Sequence, residues 1–153
     1  MNTTHEFDEF RATLDSLETA LNTPIVAGEL ADWTQEVGEA WSGAAEQVSR
    51  QIEDIHPRQF DEMADADPEM LSRVETLRTE DKEIAQERDA FHRHLARVIE
   101  HAPKFERDEE KIKSHTTSLI EAGLALIQRI RKQEVALQTW FVEAFQRDRG
   151  VAD

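Results

Sequence analysis

Apolar side chains that recur at alternating steps of three and four leave a chain few folds to choose from. Between Leu119 and Phe145 the series is Leu119, Leu126, Ile130, Leu137, Trp140 and Ala144, with Gly123 and Gln133 at the remaining slots. Such a stripe lies along one face of an α-helix and has to be covered by other helices. Gln133 interrupts it in its most apolar half, where a buried amide without partners costs roughly 1–3 kcal/mol. A polar side chain kept there points to a present or former site.

The same period runs upstream. Thr3 and Glu6 have capping-box spacing, and Phe7, Phe10, Leu14, Leu17 and Leu21 follow as a first helix that stops near Asn22, ahead of Pro24. A second helix is expected from about Gly28 to Ile55, with Leu30, Trp33, Val37, Trp41, Ala44, Val48, Ile52 and Ile55 inward. Gly38 and Gly43 within it each cost about 1 kcal/mol against alanine, which close approach of another helix or a bulky ring explains, and simple tolerance explains equally well. His56-Pro57 should end this helix, leaving Phe60 and Met63 in a connection that plugs one end of the fold.

Asp67-Pro68 places an N-cap acceptor before a first-turn proline and opens a third helix. Its seam is Met70, Val74, Leu77, Asp81, Ile84, Arg88, Phe91, Leu95 and Val98, closed by His101-Ala102-Pro103. The last helix begins between Lys104 and Glu109 and runs to about Arg147, with Gly150 where a helix stops. Five glycines, four prolines and no tyrosine leave little material for hairpins. The expectation is one all-α domain over residues 1–153, an up-down-up-down antiparallel four-helix bundle.

Composition narrows the chemistry. The absence of cysteine excludes disulfides, thiolate metal sites and a thiol nucleophile. A formal charge of −15 repels phosphate backbones and anionic lipid, so nucleic acid and membrane are not expected partners. No apolar run reaches membrane length and the first residues do not read as a leader, so the protein is expected to be soluble and cytoplasmic. No glycine-rich phosphate loop or serine elbow is present, which argues against an enzyme.

The polar residues inside the seams are the candidates for function: Asp81, Arg88 and Gln133, with Gln51 and Thr116 behind them. Asp81 and Arg88 are two turns apart, roughly 10.5 Å, so they meet only if the arginine leans back. Gln51, Asp81 and Gln133 fall at one pole of an up-down bundle and can form a hydrogen-bonded layer that fixes helix register, or contact a ligand. For histidine, Glu53-x-x-His56 and Asp89-x-x-His92 are the nearest approaches to the Glu-x-x-His spacing of bundle di-iron sites. Both are poor, since His56 sits before a proline and Asp89 and His92 flank a seam held by Arg88 and Phe91. His94 and His101 are a heptad apart, and the histidines are expected at boundary or solvent positions. The three tryptophans are expected as core.

Arg131-Lys132-Gln133-Glu134-Val135-Ala136-Leu137, continued by Trp140 to Gly150, resembles the last helix of hemerythrin-like domains. There a His-x-x-x-Glu pair precedes an apolar turn, an acidic-Ala-aromatic triplet, here Glu143-Ala144-Phe145, and a closing Asp-x-Gly, here Asp148-Arg149-Gly150. Asp67-Pro68, followed by Arg73-Val74, Leu77 and Glu80-Asp81, is similar to the start of that family's third helix, where a Glu-His pair sits. The similar stretches cover about half the chain.

The departures fall on the family's ligands. Gln133 and Asp81 stand in place of its histidines, Leu137 in place of its glutamate, and no register near Gln51 to Ile55 supplies the second-helix pair. The resemblance therefore implies the bundle with the di-iron centre lost and a polar patch left behind. No cofactor is expected; di-iron, or another cation held by Asp81 with Glu53, Glu80, Glu134 or His56, is the alternative. The expected role is a non-catalytic binding, regulatory or structural module for an unknown protein or small ligand, as monomer or homodimer, with a helical dimerisation module as a further alternative.

Overall fold

Every regular element is helical. The computed structural model describes the backbone of residues 3–152 and the side chains of residues 7–146, and among these there is no strand. The elements are α1 (Thr3–Asn22), α2 (Leu30–Arg50), a π-helical turn (Gln51–Ile55), α3 (His56–Ala66), a 3-10 turn (Pro68–Met70), α4 (Leu71–Phe105) and α5 (Glu109–Ala152). The π turn runs into α2 and α3 without a break and the 3-10 turn runs into α4, while extended Asp67 separates α3 from the 3-10 turn, so the described residues make four long helical runs. The side chains of Thr3 and Glu6, and with them the capping box, lie outside the described residues. The helices divide between two units, Met1–Val48 with Glu87–Ile127, and Ser49–Gln86 with Gln128–Asp153.

In the first unit the seams are buried as their spacing requires. Leu14, Leu17 and Leu21 of α1, Val37 and Trp41 of α2, Phe91 and Leu95 of α4 and Leu119 of α5 are each at most 4% exposed. Each such side chain contributes about 1.5–3 kcal/mol relative to exposure. Of the two accounts of Gly38 and Gly43, simple tolerance fits, and a close approach is found elsewhere. A Cβ at Gly38 meets nothing within 4 Å and one at Gly43 only the Thr13 methyl at 3.9 Å. One at Gly123 falls 2.6 Å from Leu21 Cδ1 and 2.8 Å from Phe91 Cε2, so α5 is notched there to receive both side chains. Gly28, at φ +91°, takes a conformation that favours glycine, and its N–H donates to the Glu106 carbonyl at 2.8 Å. The Trp33 indole N–H donates to the Thr23 carbonyl at 3.1 Å, tying that same connection down.

The second unit departs more from the sequence reading. Pro57 does not end the second helical run: His56 stays in the α region and its N–H donates to the Gln51 carbonyl, five residues back. That widened turn shifts the hydrogen-bond ladder by one residue just where proline brings no N–H, so the ring is accommodated at the start of α3. Phe60 and Met63 are therefore helical, 1% and 0% exposed, in one cluster with Met70, Val74, Leu77, Leu137 and Ala144. Asp67 caps the following turn as expected, its carboxylate accepting from the Glu69 N–H at 3.1 Å.

Two further stops are overrun. α4 continues past Pro103 to Phe105: the ring removes one ladder bond and crowds the carbonyl four residues back, and burial of Ala102 and Phe105 offsets that cost. α5 continues past Gly150 to Ala152. A glycine stop needs a left-handed residue, and among the described residues only Gly28 has positive φ.

Candidate functional site

Beyond Val48 the buried positions of the second run are Gln51, His56, Phe60 and Met63, at steps of three, five, four and three. The step of five is the π turn. Its extra residue carries the inward face from Ile52 and Ile55, which are half-buried, to Gln51 and His56, which are 5% and 7% exposed. His56 is thus an interior side chain and not the boundary residue its place before proline implied.

There it meets Asp81 of α4. His56 Nδ1 lies 3.0 Å from Asp81 Oδ1 and 2.9 Å from Oδ2, and a nitrogen facing a carboxylate in this way carries the proton and donates it. From α5, Gln133 Nε2 donates to Asp81 Oδ1 at 2.8 Å. Asp81 and Gln133 are 7% and 4% exposed, so three helical runs are joined through one carboxylate inside the unit. Charge-assisted bonds of this kind are the stronger ones, and removing one partner from such a buried set costs about 3–5 kcal/mol.

The other ring nitrogen of His56 has no hydrogen-bond partner among the described residues. Since no fully buried side-chain N or O there lacks a partner, Nε2 is reached by solvent, in keeping with a side chain 9% exposed. Surface pairs bracket the layer: Arg78 donates to Asp61 at 2.8 Å, Arg73 to Glu143 at 2.8 Å, and Arg129 to Glu83.

The remaining candidates lie apart from this layer. Arg88, in the first unit, donates from Nε to Asp89 Oδ1 at 3.1 Å. Leu137 is 3% exposed in the apolar cluster with Phe60 and Leu77. Thr116, also in the first unit, donates to the Ile112 carbonyl of its own helix at 2.7 Å. His92, outwardly exposed, accepts from the buried Trp41 indole N–H at Nδ1, 3.1 Å away. His115 stacks on Phe105 with centroids 4.3 Å apart. Burial, and secondarily the charge of Arg97, lowers the His94 pKa from 6.5. His5 lies outside the described side chains.

His56 is the member of the layer that residue spacing missed. The signal for it is the broken phase of the stripe, from Val48 to Phe60, that no uniform α period spans. As for the group the resemblance implies, a bundle di-iron site draws Glu and His from all four helices. Here the layer has one imidazole and one carboxylate, Gln133 presents its N–H to that carboxylate, and Leu137 is apolar. Among the described residues no three His, Asp or Glu side chains gather closely enough to hold a metal ion. This donor set does not fit a pair of irons. Compared with known protein families, with curated proteins and with solved structures, the chain matches none.

Proposed function

We propose that this chain is a hemerythrin-like up-down-up-down four-helix bundle in which a His56–Asp81–Gln133 layer takes the place of the di-iron centre, and that it serves as a non-catalytic binding, regulatory or structural module. The observation that carries the reading is the use of Asp81: both of its oxygens are turned to donors from α3 and α5. A carboxylate held in this way fixes helix register, as buried polar groups do in coiled coils. The four helical runs with short connections support the bundle topology. The test is metal content by mass spectrometry on untagged protein purified without chelator, then challenged anaerobically with ferrous iron before air. No stoichiometric iron and no new visible band are expected; two irons per chain with a band overturn the proposal.

One observation favours a second reading, a single bound cation. His56 and Asp81 are buried together, and the solvent-reached Nε2 is backed by a carboxylate, as in many histidine metal ligands. This reading requires one divalent ion per chain that is lost in Asp81→Ala and in the milder Asp81→Asn. Unchanged stoichiometry in both variants sinks it.

A further inference from the structure

Another inter-helix hydrogen bond, in the first unit and independent of the Asp81 layer, has a chemistry of its own. Trp41 of α2 is 4% exposed, and its indole N–H, which can only donate, points at Nδ1 of His92 on α4 at 3.1 Å. Nδ1 therefore holds a lone pair, and the proton of the neutral ring is on Nε2. His92 is exposed, so bulk protons have access to it. Protonation places an N–H at Nδ1 and leaves two donors facing each other.

We propose that the Trp41–His92 contact is a proton-operated latch between α2 and α4, closed when His92 is neutral and released when it is protonated. Release frees a buried indole that packs against the Phe91 ring with centroids 4.5 Å apart, the same ring that fills the Gly123 notch. Charged residues flank His92 on α4 itself. Arg88 and Asp89 lie one turn before it, joined at 3.1 Å, and Arg93 follows it in sequence. On α2 the residues one turn from Trp41 are Val37, Gly38, Ala44 and Ala45, and none titrates. From α1 and α5, Leu21 and Gly123 meet the adjacent Phe91, and these do not titrate either. Of the two rings in this contact only the His92 imidazole can take up a proton and become a cation.

The test follows the indole N–H signals of 15N-labelled full-length protein from pH 8 to pH 5, with the Trp41 signal assigned by its loss in Trp41→Phe. The Trp41 signal is expected to shift between pH 8 and pH 5, further than those of Trp33 and Trp140. In His92→Gln, which keeps an acceptor that does not titrate, and in His92→Asn as a second such variant, the Trp41 signal is expected to stay level. A level Trp41 signal in the unaltered protein overturns the proposal, and so does a shift that persists in both variants.

Discussion

The buried threonine hydroxyls of the first unit and the buried polar layer of the second are bonded in opposite ways. In the first, Thr34 and Thr116 donate to carbonyls of their own helices, Ala31 at 2.9 Å and Ile112 at 2.7 Å. In the second, His56, Asp81 and Gln133 bond between helices. A bond within a helix says nothing about its neighbours, whereas a bond between helices breaks when one slides by a turn. The first unit takes its register from shape, with Leu21 and Phe91 seated at Gly123, and from the Trp41–His92 bond between α2 and α4. The two units thus hold their helices in register differently, the first by a notch and an indole–imidazole bond, the second by a shared carboxylate.

The largest effect is expected where the carboxylate is removed. Asp81→Ala leaves two buried donors without an acceptor and is expected to cost about 3–5 kcal/mol in urea unfolding. Replacing His56, Asp81 and Gln133 together by leucine removes every polar group at once and is expected to stay within about 1 kcal/mol of the starting protein. If the single variant costs no more than the triple, the layer does not act as a unit.

Gly123→Val probes the other means. Its branched side chain has to displace Leu21 and the Phe91 ring, and a loss of about 2–3 kcal/mol is expected from overpacking. Unchanged stability there removes shape as the register device of the first unit. Gly38→Ala is the contrast, since the added methyl meets nothing and the helical backbone favours alanine. A gain of about 0.5–1 kcal/mol in the same urea assay is expected.

The smallest effect is a pH dependence. The His94 pKa lies below its unfolded value of 6.5, so between the two the unfolded chain binds more protons than the folded one. Stability from this group is complete above the unfolded value and is lost as pH falls through the window beneath it. His94→Gln is expected to flatten that part of the profile, read as a smaller drop in urea midpoint between pH 7.5 and pH 5. An equal drop in both proteins removes His94 as the cause.

Where the seams are apolar, the sequence could be read nearly residue by residue. Val74, Leu77, Ile84, Phe91 and Leu95 fall on one stripe and all are at most 3% exposed. Asp81 and Gln133 stood out because they interrupt such stripes. Punctuation was less legible. Pro57, Pro103 and Gly150 are ordinary helix stops, yet each is passed: a π turn absorbs the first, and the second lies within one turn of a helix end held by buried Ala102 and Phe105. His56 was hidden by the same π turn, since one added residue turns the inward face by about 100°.

Local chemistry by itself determined that this chain is helical, where its stripes lie and that two of them carry polar residues, because a period of three and four is a property of neighbours along the chain. Which polar groups meet was decided only in three dimensions. Whether Asp81 faces Arg88 on its own helix or His56 and Gln133 on two others depends on the phase of each run, and one π turn resets that phase for everything after it. The notch at Gly123 was settled in the same way, since a missing methyl acquires meaning only when Leu21 and Phe91 arrive from other helices to fill its place.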